Sequence, residues 1–150
     1  MRPLKHRHLS GSRRSGQAMI EMAASIFLLL AILMGVMEFG WLITRTYAVG
    51  NATREGARYA ALGHTTTEVE TRVTRNSGAN FIAASNITMQ YYDTATSTWK
   101  TMTNSGTKNA VASGSQIRVT VTISHKPLTR FFPFLNNRNI TQYTVMRREL

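Results

Sequence analysis

The chain has 150 residues, enough for one domain of ordinary size or for a membrane anchor that carries a smaller domain. Eighteen Lys and Arg residues against seven Asp and Glu residues give a formal net charge of +11, which raises nucleic acid or an anionic membrane as a partner. The absence of cysteine excludes a disulfide framework, a cysteine nucleophile and a thiolate metal site.

Residues 1–16 form a basic leader with no acidic residue. Five of the basic side chains lie in this short segment: Arg2, Lys5, Arg7, Arg13 and Arg14. The basicity of the chain is therefore partly a property of its leader. A nucleic-acid binder would leave the apolar segment that follows unexplained, so we do not expect a nucleic-acid partner.

The segment from Ala18 to Ile43 contains only two charged residues, Glu21 and Glu38, and it is long enough to cross a bilayer core of about 30 Å. It predicts a transmembrane helix over residues 17–43. The basic leader predicts a cytoplasmic N-terminus, with residues 63–150 in the periplasm or otherwise outside the cytoplasm. A cleaved secretory signal fits poorly, because the apolar run is too long and does not end in a small-x-small site.

Glu21 is the residue that a plain signal anchor does not explain, since an unpaired carboxylate at the start of an apolar helix is costly to insert. If a peptidase cut the chain after Gly16, Glu21 would be the fifth residue of the mature chain. The new amine at Gln17 could then neutralise the Glu21 carboxylate of a neighbouring subunit. The alternative is that Glu21 lies among lipid headgroups and is solvated there.

A short basic leader ending in Gly16, followed by an apolar helix with a glutamate at the fifth mature position, resembles type IV prepilins and pseudopilins. The strings GQAMIEMAASIFLLLAILMGVMEFG and NATREGARYAA are more specific, and they resemble the TadE-like minor pseudopilins of tight-adherence (Flp, type IVb) pilus systems. The residues that match the pattern of this family are Gly16, Glu21, Glu38, Phe39, Gly40, Arg54, Glu55, Gly56, Ala57 and Arg58.

This resemblance implies cleavage between Gly16 and Gln17 by a prepilin peptidase, and subunit assembly through Glu21. It further implies a place in the bacterial inner membrane, with other pilins, pseudopilins and pilus-assembly platform proteins as partners and possible incorporation into a pilus. The implied function is in assembly or function of a tight-adherence pilus, with no enzymatic activity and no cofactor.

No proline interrupts residues 17–62, so the helix is expected to continue beyond the membrane as an amphipathic stem over residues 44–62. Its small-residue groove at Gly56 predicts a close neighbour, either the sheet of the same chain or a partner helix. Arg54 and Arg58 are expected to form a solvated face with Glu55. Glu38, about 25 Å above Glu21, is expected to meet water or headgroups.

The remaining residues, 63–150, predict a small α+β head. TTTEVETRVTRN reads as a capped helix with Val69 and Val73 facing inward, and NITMQYY, QIRVTVTIS and ITQYTVMRR read as strands. A further short strand is expected around Trp99. The expected fold class is α+β: a long transmembrane helix continues into the stem and packs on a small antiparallel meander, as in pseudopilins.

The sequence contains no recognisable catalytic or nucleotide-binding motif, and His64 and His125 have no acidic partner by local spacing. Phe131, Phe132 and Phe134 form the one exposed-looking apolar cluster, which either contacts a partner or caps the small core. The competing function is an unprocessed, single-pass, membrane-anchored binding module with no pilus role, in which Gly16 and Glu21 are incidental.

Overall fold

The computed structural model describes residues 12–78, 81–129 and 133–149. The first eleven residues of the leader and the cluster expected of Phe131, Phe132 and the Phe134 side chain lie outside this description. The described chain is an α+β structure in which one long helix carries a second short helix and a four-stranded antiparallel sheet. The predicted fold class is confirmed.

Helix α1 runs without a break from Ser12 to Ala61. It ends where the sequence supplies a glycine, because Gly63 adopts a positive φ of 97° that favours glycine. The amide of Gly63 donates to the Ala60 carbonyl and the amide of His64 donates to the Tyr59 carbonyl, which is the double hydrogen bond of a Schellman motif. The rings of Tyr59 and His64 stack over this turn at a centroid distance of 4.2 Å.

Helix α2 covers Thr66–Asn76 and is held by the cap that the sequence predicts. The Thr65 hydroxyl accepts from the Glu68 amide, and the Glu68 carboxylate accepts from the Thr65 amide at 2.9 Å. The Thr65 amide and hydroxyl, which both donate to the Glu68 carboxylate, lower the pKa of Glu68. Val69 and Val73 are fully buried, as expected.

The strands are β1 (Ile87–Asp93), β2 (Thr98–Thr101), β3 (Asn104–Ser105), β4 (Lys108–Asn109), β5 (Gln116–Ser124) and β6 (Asn139–Arg147). Single turns of 3-10 helix occur at Ala84–Asn86 and Pro133–Leu135. The four strand segments expected from the sequence are therefore confirmed, including the short one that contains Trp99. The buried residues alternate along β5, as the sequence predicts: Ile117, Val119, Val121 and Ile123.

The order of the main sheet is β2-β1-β5-β6, with all neighbours antiparallel. The expected meander is therefore wrong in one connection, because β5 pairs with β1 and leaves β2 at the edge. After β2 the chain forms the separate β3-β4 ribbon and then enters β5 on the other side of β1. Asn109 fixes that ribbon to the end of α1, since its amide side chain donates to the carbonyls of Ala60 and His64 at 2.8 and 3.1 Å.

Asp93 ends β1 and organises the turn into β2. Its carboxylate accepts hydrogen bonds from the Ala95 amide at 2.9 Å and from the Thr96 hydroxyl, and it forms an ion pair with Lys100. The Lys100 ammonium, followed by these hydrogen bonds, lowers the pKa of Asp93 to about 2. The Asp93 side chain thus stabilises the turn by accepting a hydrogen bond from the backbone amide two residues later.

The core lies between the C-terminal half of α1, helix α2 and the inner face of the sheet. Helix α1 contributes Val49 and the three alanines Ala52, Ala57 and Ala60, and the rest of the chain contributes larger apolar residues: Val69, Val73, Ile82, Ile87, Met89, Met102, Val111, Ile117, Val119, Val121, Ile123 and Ile140. The small side chains of α1 let α2 and the sheet come close to its backbone. The end of the chain closes the top of this core, where the Glu149 amide and the Arg148 guanidinium both donate to the Ala61 carbonyl at 2.9 and 3.0 Å.

Candidate functional site

The N-terminal half of α1 carries a long apolar surface. The side chains of residues 16–37 are exposed, apart from Ala31 and Gly35, which are half-buried. At 1.5 Å per residue this stretch is about 33 Å long, compared with about 30 Å for the hydrocarbon core of a bilayer. Among the described residues α1 is the one helix whose length and composition suit a membrane crossing. The chain therefore has a segment compatible with single-pass membrane anchoring.

The residues predicted for cleavage and assembly lie together at the start of this surface. Gly16, Gln17 and Glu21 are exposed, and the Gln17 side-chain amide donates to the Glu21 carboxylate at 3.1 Å, one helical turn away. The Ser25 hydroxyl donates to the backbone carbonyl of Glu21 at 2.8 Å. The head does not cover Glu21, so its carboxylate is accessible to another chain or to lipid headgroups.

Glu38 lies at the junction between the apolar surface and the head, and the expectation that it meets water or headgroups is wrong. Its side chain is fully buried, with 0% exposure. Its carboxylate accepts hydrogen bonds from the Leu128 amide at 2.9 Å, the Thr129 amide at 2.8 Å and the Thr129 hydroxyl at 3.1 Å. The loop between β5 and β6 therefore closes over Glu38 and ties the head to the helix.

His125 completes this junction, and the expectation that it has no acidic partner is also wrong. Its ring is fully buried and its Nε2 lies 3.5 Å from the Glu38 carboxylate. The backbone amide of His125 donates to the Arg138 carbonyl at 2.7 Å, which holds the two ends of the loop together. His64 likewise has a partner, since its Nδ1 lies 3.2 Å from the Glu68 carboxylate.

The residues after Glu38 in the predicted family motif occupy the opposite, outward side of the helix. Phe39 and Gly40 are exposed, and a Cβ added at Gly40 would meet nothing within 4 Å. The Thr44 hydroxyl donates to the Gly40 carbonyl at 2.8 Å. The EFG string thus places the Glu38 side chain inside the junction, and it places Phe39 and Gly40 on the surface near the end of the predicted transmembrane segment.

The second part of the motif, residues 54–58, forms the docking site for α2. The Glu55 carboxylate accepts from Arg72 Nη2 at 2.7 Å and from its Nε at 3.1 Å, and Arg58 lies farther from it at 3.8 Å. Arg54 and Arg58 are exposed, as expected. The expected solvated ion pair is only partly correct, because the closer partner of Glu55 is on α2.

Gly56 and Ala57 are buried where α1 meets α2. A Cβ added at Gly56 would collide with Cγ2 of Val73 and would lie 3.6 Å from Val119 Cγ1 on β5. The predicted close neighbour is thus part of the same chain. Helix α2 is closer than the sheet that the sequence analysis named.

The described residues contain no group of three His, Asp or Glu side chains that could hold a metal ion. The chemically distinctive features are an exposed apolar helix with an accessible carboxylate near its start, and a buried carboxylate that fastens the head to the same helix. Both features suit a chain in which the long apolar helix determines the position of the head.

Comparison with known proteins agrees with the motif. Residues 16–58 match the family described as TadE-like protein, and the match begins at Gly16 and ends within the docking site for α2. No protein of curated function and no solved structure matches the chain. The predicted resemblance is confirmed over residues 16–58, which are similar to TadE-like proteins, the group of tight-adherence pilus systems that the motifs indicate.

Proposed function

We propose that this chain is a minor pseudopilin that acts in the assembly or function of a tight-adherence pilus and has no enzymatic activity of its own. The observation that carries the proposal is a coincidence of boundaries. The family match begins at Gly16, where the sequence changes from the basic residues Arg13 and Arg14 to the apolar run that starts at Ala18. The basic leader stands immediately before this point, which is the arrangement that a leader peptidase requires.

In this proposal a prepilin peptidase cuts between Gly16 and Gln17 and leaves α1 in the inner membrane, with the N-terminus on the cytoplasmic side and the head outside. The new Gln17 amine then pairs with Glu21 of an adjacent pilin or pseudopilin. The accessible position of the Glu21 carboxylate supports this role. Pairing of opposite charges in an apolar environment is favourable chiefly because leaving either charge alone is costly.

The head is carried by the same helix, so the packing of membrane helices also positions the head. The hydrogen bonds of Glu38 make this connection stiff at the membrane surface. Platform proteins of the pilus system would bind the assembled helices or the heads that they carry. Nucleic acid is not among the proposed partners.

The test is co-expression of the full chain with the prepilin peptidase of its own system, followed by intact-mass measurement and N-terminal sequencing of the membrane fraction. We expect a product that begins at Gln17. Gly16→Phe should block cleavage, because a bulky side chain would stand next to the scissile bond.

Gly11→Phe is the matched control, since it makes the same substitution five residues upstream and should leave cleavage unchanged. An inactive peptidase should yield only the intact chain. Recovery of only intact chains, which begin at Met1, in the presence of the active peptidase would contradict the proposal and favour an unprocessed, membrane-anchored binding module.

A further inference from the structure

A cleft of about 330 Å³ opens where α1 meets the end of β5 and the segment before β1. Its lining combines four hydrogen-bonding side chains with two apolar ones: Arg45, Asn86, Ser124, Lys126, Phe81 and Ile123. All four polar side chains can donate a hydrogen bond. The lining contains two cations and no carboxylate, which is the composition of a site for an anion.

Arg45 is the strongest indication that this cleft binds an anion. Its Nε and Nη1 atoms are buried and have no hydrogen-bond partner within the described residues. The guanidinium is held between two rings, with its central carbon 5.4 Å from the Trp41 ring centre and 4.9 Å from that of Phe81. Buried donors without an acceptor are costly, and a planar guanidinium matches the oxygen geometry of a phosphate.

The position of the cleft along α1 indicates which kind of phosphate group it could bind. Arg45 follows Glu38 by seven residues, or about 10 Å of helix. Its side chain points back toward the N-terminus of α1, as its contact with Trp41 shows. With the apolar surface of α1 in the hydrocarbon core of a bilayer, the guanidinium would therefore lie close to the end of that core, at the level of the headgroups.

The loop after β5 gives an independent measure of this depth. The Leu128 amide binds the Glu38 carboxylate, and the Leu128 side chain is 54% exposed beside the end of the apolar surface. Lys126 is exposed two residues earlier in the same loop. In a chain anchored through α1, the cationic side of the cleft would therefore face the level at which lipid phosphates lie.

We propose that this cleft binds the phosphate of an anionic phospholipid headgroup, with Arg45 and Lys126 as the charged ligands and Ser124 and Asn86 as neutral donors. The proposal requires that α1 be anchored in a membrane, and it does not depend on cleavage or on a pilus role. Bound lipid would clamp the base of the head against the bilayer surface.

The experiment uses the full chain in dodecyl maltoside and measures bound lipid by native mass spectrometry during titration with phosphatidylglycerol, phosphatidylcholine or inorganic phosphate. We expect a one-to-one complex with phosphatidylglycerol and much weaker binding of phosphatidylcholine. Arg45→Gln and Lys126→Gln should each weaken phosphatidylglycerol binding about fivefold, because each removes one cation near the headgroup.

Arg54→Gln and Lys108→Gln are the charge-matched controls, since both side chains are exposed and neither lines the cleft. They should leave the affinity for phosphatidylglycerol unchanged. Lys126 is exposed, so its substitution tests the cleft even if Arg45→Gln disturbs folding. Equal loss of binding in the controls would show general attraction to the basic protein and would overturn the proposal. Equally strong binding of phosphatidylcholine, or displacement of the lipid by millimolar phosphate, would also overturn it.

Discussion

Replacing Glu38 by alanine tests whether the head is fastened to the helix as the contacts indicate. The substitution removes an acceptor of three hydrogen bonds and leaves the amides of Leu128 and Thr129 without their partner. It also leaves a space beside the buried ring of His125. The β5–β6 loop should therefore open more often, while the core around α2 stays in place.

The magnitude follows from the number and kind of bonds. A hydrogen bond to a charged group contributes about 1.5–3 kcal/mol, and contributions within one cluster are not additive. The exposed side chain of Leu128 indicates that water reaches the loop when it opens, which reduces the cost of losing the acceptor. We therefore expect the free energy of local opening to fall by about 2–4 kcal/mol, which corresponds to a factor of about 30–1,000 in the opening equilibrium.

Hydrogen exchange measured by mass spectrometry on the full chain in detergent gives this quantity directly. The peptide that contains the Leu128 and Thr129 amides should exchange faster by that factor, and peptides from α2 should be unchanged. Glu38→Gln should lie between the parent and the alanine variant, because it keeps one carbonyl oxygen in the same place.

Glu55→Ala is the matched control, since it removes a carboxylate from the same helix whose partner is Arg72 on α2. It should accelerate exchange in α2 and leave the loop unaffected. If Glu38→Ala left the exchange of the loop at the parent rate, the carboxylate would not hold the head, and the described junction would have to be abandoned.

Three further predictions address other parts of the chain. Glu21→Gln should still be cut after Gly16 but should fail to crosslink to other pilins, and normal crosslinking would remove the proposed role of its charge. Gly56→Ala should lower the free energy of unfolding by about 1–2 kcal/mol, measured by thermal unfolding in detergent. The reason is that overpacking against the stiff side chain of Val73 outweighs the helix-propensity gain of about 1 kcal/mol. The control is Gly50→Ala, which should not destabilise the chain because a Cβ at Gly50 meets nothing within 4 Å. The pKa of Asp93 is about 2, below its ordinary value of 3.8, so its contribution to stability is complete above about pH 4 and is lost as the pH falls toward 2. In Asp93→Asn, this loss of stability between about pH 4 and pH 2 should be absent from the acid unfolding curve. An NMR titration of Asp93 with a midpoint near about 4 would disprove the shift.

Local patterns predicted most of the fold. The alternation along β5, the capping box at Thr65 and the glycine after α1 are each determined by neighbouring residues, so the sequence indicates them directly. The sheet order was not predictable in the same way. It depends on where Asn109 anchors the β3-β4 ribbon, and that contact joins residues that are far apart in the chain.

The junction at Glu38 was missed for the same reason, since its hydrogen-bond donors are about 90 residues away. Two signals could have indicated it. Glu38 is a carboxylate at the end of an apolar run, and His125 continues the inward alternation of Val119, Val121 and Ile123 by one more step. A buried histidine and a buried carboxylate are most easily accommodated next to each other.

The unbroken course of α1 has a mechanical consequence. At 1.5 Å per residue, its 50 residues form a rod of about 75 Å with no proline or described break at which it could bend. A rotation of this rod must therefore turn the sheet through the same angle. If α1 packs against other helices in a membrane, that packing sets the direction in which the outer face of the sheet points, with Tyr143 and Val145 exposed on β6. A substitution deep in the bilayer could thus change which surface the head presents without altering any residue of the head.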